Sequence, residues 1–597
     1  MNKENLTAYE VVTEENLTDI HSTGWLLRHK KTGARVMLIE NDDENKVFNI
    51  AFRTPPKDST GVAHILEHSV LCGSREFPLK DPFVELVKGS LNTFLNAMTY
   101  PDKTCYPVAS CNDKDFQNLM HVYLDAVFYP NIYKREEIFR QEGWNYHLEQ
   151  KEGPLKYNGV VYNEMKGAFS SPDEVLEREI MNHLFPDTTY GCESGGDPKN
   201  IPDLTYENFL NFHRTYYHPS NSYIYLYGNM DMEEKLAFLD EHYLSHFDYL
   251  DVDSVIQEQK AFGACQDVTL EYPVAENEGE EDNTYLSYNM VVGNAADSQM
   301  AMAFEVLDYA LLSAPGAPLK QALLDVKAGK DVYGSYDDGI LQPYFTVIAK
   351  GSNPDRKEEF VSVIRQVLGD IVKNGIDKKA VEAGINYFEF RYREADFSSY
   401  PKGLMYSLDI LGDWLYEKGN PFAQVQQLTV FEKLKKAVNE GYFEELIRKY
   451  LLENPHGCIM TLVPKKGLAA QREKELEEKL EAYRSSLSEE QLDAMVEKTK
   501  ALEAYQEAGE DPKALECIPM LKRSDIKREA AKIINEELTV DDSLFLYHDV
   551  CTNGIGYVDL MFKTDSIAPE QIPYLGLLKS VLGYVDTENY TYGELFN

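Results

Sequence analysis

The chain has 597 residues, 43% hydrophobic and 27% charged, which is typical of a globular protein and predicts roughly three or four domains of about 150 residues each. Lysine and arginine number 59 against 100 aspartates and glutamates, and the net charge of −41 argues against nucleic acid and anionic membranes as partners. The same charge favours cationic ligands such as basic peptides, or it serves solubility alone.

Cysteine usage and the N-terminal residues favour a reducing compartment. The eight cysteines are scattered without a Cys-x-x-Cys pair, so neither a disulfide framework nor a thiolate zinc site is indicated. Residues 1–12 lack both the apolar core of a secretory signal and the arginines of a transit peptide. No apolar run approaches the roughly 20 residues that span a bilayer, and the cytoplasm is the expected location.

The first chemical signal is a histidine pair in a helix predicted over residues 62–72. His64 and His68 stand one helical turn apart on the same face, a spacing that lets two imidazoles bind one metal ion. Glu67 flanks that face and can reach a water held by the metal, which completes the order His-x-x-Glu-His. The alternative is a chance occurrence in which all three are ordinary helix residues.

A predicted β-hairpin follows the histidine helix. Residues 93–100 have the pattern of a strand, 101–103 form a turn and 104–109 form the returning strand. Such a hairpin can offer its edge to an extended peptide by β-augmentation. An internal strand of a sheet is the equally good alternative on pattern alone.

A catalytic zinc ion needs a third protein ligand, with one position left open for water. Glu164 is the best candidate, because it follows an apolar run over 160–162 and precedes residues 165–168, which are predicted to be helical. This second helix is expected to pack beside the histidine helix. Their meeting is a hypothesis that the sequence does not test.

Other residues that could attract a functional interpretation are assigned structural roles. His213 and His218 are five residues apart, a spacing that does not suit a helical metal pair. Gly195 and Gly196 predict a turn and not a phosphate loop, since no Gly-Lys-Ser/Thr follows. Cys72 lacks the base and the orienting group that a catalytic thiol requires.

An internal repeat organises the chain. Strand, turn and helix recur in that order three times. The three pairs of predicted strand and helix are 47–52 with 62–72, 285–292 with 300–312, and 556–562 with 571–582. The second and third copies carry no histidine pair, so any chemistry belongs to the first.

The repeat predicts the domain boundaries. Residues 465–521 are highly charged with helical spacing, and Ser488 with Gln491 fits a capping box that restarts a helix. This stretch is predicted to be a helical hairpin linker, with coiled-coil partner binding as an alternative. The expected domains are 1–260 (catalytic), 261–464 (second, non-catalytic), 465–535 (hairpin) and 536–597 (start of a truncated third). We therefore expect this chain to be an N-terminal fragment.

Five segments resemble the pitrilysin/insulinase family of zinc metallopeptidases, the inverzincins, and are most similar to its presequence protease and falcilysin branch. They occur in the family's order and at similar spacing, and the likeness extends over the whole chain. The segments are Gly-Val-Ala-His-Ile-Leu-Glu-His-Ser-Val-Leu-Cys-Gly-Ser (61–74), Phe-Leu-Asn-Ala-Met-Thr-Tyr-Pro-Asp-Lys-Thr-Cys-Tyr-Pro-Val (94–108), Gly-Val-Val-Tyr-Asn-Glu-Met-Lys-Gly (159–167), Tyr-Gly-Cys-Glu-Ser-Gly-Gly-Asp-Pro (190–198) and Tyr-Tyr-His-Pro-Ser-Asn (216–221).

The resemblance implies an α+β fold of repeated domains, each an antiparallel sheet packed with helices. Two such domains would be complete here and a third truncated, with the helical hairpin as linker. The family's halves close around a chamber that admits short unfolded peptides. The implied partners are an unfolded peptide, basic if the acidic charge selects it, and the C-terminal half of the same protein.

The resemblance also implies the roles of individual residues. His64, His68 and Glu164 would bind one Zn²⁺ per chain, and Glu67 would be the general base of a metalloendopeptidase. Three further residues, Asn96, Ala97 and Leu71, would bind substrate. The alternatives are a non-catalytic scaffold and a peptide-binding member of the same family. The filled metal motif favours the enzyme.

Overall fold

The structure, a computed structural model, describes residues 1–510, 512–530 and 532–592. The first unit of the fold is built from strands and helices that alternate along the chain. They are β1 (Tyr9–Leu17), β2 (Ser22–His29), β3 (Arg35–Glu40), β4 (Lys46–Arg53), α1 (Val62–Val70), α2 (Pro82–Val87), β5 (Asn92–Leu95), β6 (Met98–Thr99), β7 (Lys103–Ser110), α3 (Asp113–Phe128), α4 (Glu136–Glu142), β8 (Asn145–His147), β9 (Lys156–Asn158), α5 (Val160–Ala168), α6 (Pro172–Leu184), α7 (Tyr206–Tyr216), β10 (Ser222–Gly228) and α8 (Met232–His242).

The main sheet of the first unit has the order β1-β2-β3-β10-β4-β7-β5, and the short β6 also pairs with β7. All pairs are antiparallel except β3 with β10. Within the described residues β5 and β6 form an edge of this sheet, where backbone groups are free to pair with another chain. The strand predicted over 93–100 is interrupted, because Asn96 and Ala97 lie between β5 and β6 outside any strand.

The second unit repeats this architecture. Its elements are β11 (Gln266–Val274), β12 (Thr284–Val291), α9 (Ser298–Asp308), α10 (Pro318–Asp325), β13 (Asp331–Asp337), β14 (Tyr344–Ser352), α11 (Lys357–Asn374), α12 (Lys378–Glu394), α13 (Lys402–Trp414), α14 (Leu428–Ala437), α15 (Tyr442–Leu446) and β15 (Gly457–Lys466). The order β11-β15-β12-β14-β13 matches the order from β3 to β5, and β11 with β15 is again the parallel pair. The predicted repeat of strand and helix is therefore confirmed for these two units.

Both faces of the first sheet are covered, which explains why every residue of β4 is buried. On one face Phe48, Ile50 and Phe52 belong to a core that includes residues of α1 and α3. On the other face the alternate side chains, such as Val47 and Ala51, pack against α13 of the second unit. The two units therefore share a hydrophobic core.

The predicted charged hairpin is present as α16 (Leu468–Ser486) and α17 (Glu489–Glu507). The capping box between Ser488 and Gln491 is formed in both directions, as predicted. The remaining elements are β16 (Glu536–Val540), β17 (Ser543–Tyr547) and α18 (Ile572–Val581). Among the described helices, none combines the length and the apolar character that crossing a membrane demands.

One predicted strand is wrong. Residues 556–562 form no regular secondary structure, although the helix predicted after them is present as α18. The segment is a mostly apolar run of the kind that forms strands, yet it pairs with no other strand in the described part of the chain. Phe562 is consequently 82% exposed. A strand pattern is realised only where a neighbouring strand supplies the hydrogen bonds.

Candidate metal centre

Apolar side chains on one side of helix α1 pack into the core and hold the helix in place. The two histidines lie on its other side. Ile65, Leu66 and Val70 are fully buried in the first core. The side chains of His64 and His68 are 12% and 27% exposed. Their rings lie 5.0 Å apart between centroids and are nearly perpendicular. The helix thus holds two imidazoles beside each other at the protein surface.

The structure brings Glu164 to this pair. Glu164 lies in α5, its Oε1 is 3.8 Å from His64 Nε2, and its Oε2 is 3.8 Å from His68 Nε2. One ligand atom from each of the three residues lies within 4.8 Å of the others, and no other such group of three exists among the described residues. Two ligands of a tetrahedral zinc ion stand about 3.4 Å apart. The donor set and its spacing therefore fit zinc.

Each imidazole has a second partner that fixes its orientation. His64 Nδ1 lies 3.1 Å from the carbonyl oxygen of Gly195, and His68 Nδ1 lies 3.2 Å from Oε2 of Glu142. Because both acceptors require a donor, each Nδ1 carries the proton and each Nε2 offers its lone pair toward Glu164. Outer partners of this kind orient metal ligands and raise their basicity.

These two partners are not predictable from the sequence. Glu142 is 74 residues from His68, and Gly195 is 131 residues from His64. Gly195 was assigned only to a turn, and its backbone carbonyl carries no side-chain signal. Glu142 is one of 100 acidic residues. No spacing rule connects either residue to the histidine helix.

The field of the surrounding carboxylates favours positive charge at the site. Burial disfavours protonation of His68, but the hydrogen bond to Glu142 and the charges of Glu67, Glu142 and Glu164 together raise its pKa above the usual value. Burial opposes ionisation of Glu142, yet its hydrogen bond to His68 lowers its pKa. A divalent cation would satisfy the same field.

Cys72 does not supply a ligand. Its Sγ lies 3.7 Å from Oε1 of Glu142, where it donates a hydrogen bond. Burial and the neighbouring carboxylates of Glu142 and Asp81 raise the pKa of this thiol well above its usual value. Metal ligation and nucleophilic attack require the thiolate. Cys72 therefore stays a protonated donor to Glu142.

Glu67 is 8% exposed and lies in α1 beside the two histidines, within the His-x-x-Glu-His segment. Its charge acts on His68, and burial together with that charge raises the pKa of Tyr123 in α3. The hydroxyl of Tyr123 donates a hydrogen bond of 3.2 Å to the carbonyl oxygen of Asn96. Tyr123 thus supports the predicted substrate-binding edge through a direct hydrogen bond, and the charge of Glu67 reaches it through space.

The other predicted substrate-binding residues lie close to these elements. Asn96 donates its backbone N–H to the carbonyl of Pro107 in β7, at 3.4 Å, so the chain stays attached to the sheet between β5 and β6. Ala97 and Leu71 are half-buried and pack against the first core, with Leu71 directly after the last turn of α1. The short strand β6 contacts α1, so this edge lies beside the helix that carries the histidines.

The two histidines assigned structural roles lie outside the metal-binding group. His213 is buried, with Nε2 at 2.9 Å from the carbonyl of Val127 and Nδ1 at 2.7 Å from the hydroxyl of Tyr133. His218 Nδ1 accepts from the backbone N–H of Ser220 at 3.2 Å. Both imidazoles connect α7 and the loop after it to neighbouring backbone.

Three family models match the chain. They are "Insulinase (Peptidase family M16)" over residues 52–190, "Peptidase M16 inactive domain" over 203–388, and the model of the region associated with subgroup C of the same peptidase family over 462–597. The first match contains the histidine helix and Glu164, and the second begins before β10. The third begins within β15 and includes the α16–α17 hairpin.

Named relatives match nearly the whole chain. Protein HypA of Clostridium perfringens (strain 13 / Type A) is 50% identical over 99% of this chain and 61% of its own length. Presequence protease 1, chloroplastic/mitochondrial, of Arabidopsis thaliana is 40% identical over 98% of this chain and 55% of its own length. The mitochondrial presequence protease of Xenopus laevis is 33% identical, with 99% and 57% covered. The chain therefore spans little more than half the length of these relatives.

Solved structures share the fold at low identity. Pitrilysin is 16% identical with a TM-score of 0.55, covering 77% of this chain and 47% of that one. A protease from Helicobacter pylori is 16% identical with a TM-score of 0.56, covering 76% and 99%. At these identities the likeness concerns the fold alone, and the expected α+β class is confirmed.

Proposed function

The chain belongs to the insulinase (M16) family of peptidases, in its presequence protease-like branch, and from that premise we propose that its metal-binding group serves zinc-dependent hydrolysis of peptide bonds. The observation that carries the proposal is the convergence of His64, His68 and Glu164 with both Nδ1 atoms already engaged. This arrangement leaves two lone pairs and one carboxylate for a single ion, and one position for a reactant.

Each residue of the site has a separate role in the proposed reaction. Zinc, when bound, supplies the positive charge that polarises a carbonyl and lowers the pKa of water. Glu67 accepts a proton from the attacking water and later delivers it to the leaving amine, the role of a general base and then a general acid. Glu142 and the carbonyl of Gly195 keep the two imidazoles in the tautomer that binds metal. Tyr123 supports the edge at Asn96 by a hydrogen bond to its carbonyl oxygen.

We propose an unfolded, basic peptide as the substrate. The edge formed by β5 and β6 can pair with an extended backbone, as an unfolded peptide offers. Asp338 and Asp409 are two exposed carboxylates of the second unit. Partial desolvation, with the charge of a neighbouring aspartate, raises the pKa of Asp338 to about 6 and that of Asp409 to about 7.

A cationic side chain would stabilise the ionised form of these two carboxylates. Burial raises the pKa of Tyr100, and the charges of Asp409 and Glu67 add to this rise, which supports an acidic environment shared by the second unit and the predicted general base. The relatives are longer than this chain, so we further propose that a C-terminal half of the same protein takes part in enclosing the peptide, and that the enzyme acts in the cytoplasm.

The test separates metal binding from turnover. Glu67→Gln keeps the shape of the side chain but cannot accept the proton, so peptide cleavage should fall by at least about 100-fold while zinc stays near one per chain. Glu164→Gln should lose the metal itself. Zinc is measured by elemental analysis after dialysis. Cleavage is measured on a basic and an acidic peptide of equal length at two ionic strengths.

The control is Glu490→Gln, an exposed glutamate at the start of α17, which should match the wild type in both readouts. Normal cleavage by Glu67→Gln would refute the general-base role. If the wild-type chain binds zinc but cleaves no peptide, and a longer chain that includes the C-terminal half also cleaves none, a peptide-binding protein is favoured instead. Equal cleavage of both peptides at low ionic strength would remove the preference for basic substrates.

A further inference from the structure

Two carboxylates at the metal centre, Glu142 and Glu164, are separated in the sequence by a two-stranded ribbon of β8 and β9. Glu142 ends α4 just before the ribbon, and Glu164 lies in α5 just after it. The chain enters the ribbon at Gly143 and leaves it at Gly159, and these residues touch. A Cβ atom on Gly159 would stand 2.2 Å from the carbonyl oxygen of Gly143. Any movement of the ribbon therefore acts on both carboxylates at its base.

The outer side of this ribbon is covered by the α16–α17 hairpin. Tyr483 of α16 stacks on Tyr146 of β8, with centroids 4.9 Å apart and an angle of 24°. The hydroxyl of Thr499 in α17 accepts the backbone N–H of Leu148 at 3.0 Å. An apolar cluster fills the contact. Its buried members are Leu148, Leu155, Leu480 and Val496.

Ring contacts continue from the hairpin to the ligand helix. Tyr146 lies 5.4 Å from Tyr157 of β9, and Tyr157 lies 5.8 Å from Tyr162 of α5. Tyr162 is two residues before Glu164, and its backbone N–H donates to the carbonyl of Gly143 at 3.4 Å. The aromatic rings therefore contact one another in sequence from α16 to α5, the helix that carries Glu164.

The hairpin also touches the ligand helix directly. Lys166, two residues after Glu164, pairs with Glu473 of α16 at 3.0 Å. Both side chains are about half exposed, and an exposed ion pair of this kind contributes little energy by itself. The buried apolar contact supplies the stability, and the ion pair fixes the direction in which α5 meets the hairpin.

We propose that the α16–α17 hairpin is a positioning element of the metal centre, which holds the ligand Glu164, and through Glu142 the ligand His68, in the geometry that zinc needs. Tyr483 and Val496 are the positioning residues, and neither touches the metal-binding group. A displacement of the hairpin would weaken zinc binding without any change in the ligands. The inference rests on the proposed function, because it requires that this group binds zinc.

The test measures zinc affinity in the full chain by competition with a chromophoric chelator. Tyr483→Ala removes the stacking ring, and Val496→Ala opens the apolar contact. Each should raise the dissociation constant for zinc by about tenfold, the lower end of what loss of an outer partner costs. The absorption spectrum of the Co²⁺-loaded chain should also change, because it reports the geometry of the ligands.

Two matched variants separate positioning from general destabilisation. Tyr483→Phe keeps the ring and should restore the wild-type affinity. Val430→Ala removes the same two methyl groups from an equally buried valine, 8% exposed like Val496, in the core of the second unit. It should lower the melting temperature but leave zinc affinity within about twofold of the wild type.

Wild-type zinc affinity and an unchanged Co²⁺ spectrum in both Tyr483→Ala and Val496→Ala would overturn the inference. So would a loss in Val430→Ala equal to that in Val496→Ala. The proposed function fails separately, and this inference with it, if the wild-type chain binds zinc no better than Glu164→Gln. If Glu164→Gln loses the metal and the hairpin variants do not, only the positioning role is refuted.

Discussion

At the scale of single residues, the chain shows how hydrogen bonding divides histidines between functions. His64 and His68 donate from Nδ1 and keep Nε2 free at the surface. His213 has both nitrogens engaged and is fully enclosed, so burial lowers its pKa to about 4. The same side chain is therefore a candidate ligand in one environment and a neutral structural contact in the other.

His213 should make the folded chain sensitive to acid. Between its usual pKa of 6.5 and about 4, the unfolded chain binds a proton that the folded chain does not. The free energy of unfolding therefore falls as the pH falls through this window, by up to about 3 kcal/mol from this residue. His213→Gln can still donate to the carbonyl of Val127 but does not titrate.

Denaturant unfolding of the wild type and His213→Gln at pH 8 and pH 4.5 checks this. The wild type should be the more stable protein at pH 8, and its advantage should shrink at pH 4.5. The exposed His246→Gln should follow the wild type at both values. An advantage that does not change with pH would contradict the assignment of His213 as a buried neutral imidazole.

Some of these residues were predictable and others were not. The spacing of His64 and His68 and the motif around Glu164 are visible in the sequence, and the structure places the three side chains together. Their role as ligands stays a prediction. Glu142 and the Gly195 carbonyl could not be predicted, because long-range contacts of a common side chain and of a backbone atom leave no local pattern.

At the scale of elements, the start of α1 depends on close backbone packing. Gly61 has φ of 69° and precedes the helix, and a Cβ atom there would stand 2.7 Å from the carbonyl oxygen of Gly195. That carbonyl is the partner of His64 Nδ1. The glycine thus allows the helix start and the supporting loop to approach each other.

Gly61→Ala should weaken zinc binding as well as stability. It carries the left-handed backbone cost of about 1–2 kcal/mol and also pushes the Gly195 carbonyl away from His64. Gly441→Ala is the matched control, since Gly441 begins α15 with φ of 75° and has nothing within 4 Å of the added atom. Thermal unfolding and zinc titration of both variants measure the difference. Equal zinc affinities would show that the loop contact is unimportant.

Element prediction succeeded where the signal was local. The capping box at Ser488 and Gln491 follows from two side chains three residues apart. The strand predicted over 556–562 failed because strand formation depends on a partner. The docking of the hairpin on the ribbon was also missed. Its contact uses few apolar residues, such as Leu480 and Val496, within two highly charged helices.

At the scale of the whole molecule, the two units are joined by a polar contact as well as by a shared core. Asp102, fully buried in the turn before β7, accepts from the hydroxyls of Tyr190 and Tyr416, each at 2.6 Å, and lies 3.2 Å from Lys103 Nζ. Tyr416 belongs to the second unit, and Tyr190 also accepts the backbone N–H of Leu341 at 3.0 Å. The second unit thereby fixes the turn of the hairpin whose edge is predicted to bind a peptide.

The repeat of two units was predictable because the same order of strand, turn and helix recurs along the sequence. The contact at Asp102 was not, because it depends on how the two copies face each other. Buried carboxylates need several donors to be stable, and here the donors come from both units. The position of the predicted peptide edge is therefore a property of the assembled molecule and not of the first unit alone.

Locating the metal is the sharpest test of the proposed centre. A crystal of the chain grown with zinc and measured at the zinc absorption edge should show one anomalous peak between Nε2 of His64, Nε2 of His68 and the carboxylate of Glu164. The peak should be absent in Glu164→Gln. No peak in the wild-type chain, or a peak elsewhere with these three side chains apart, would contradict the account.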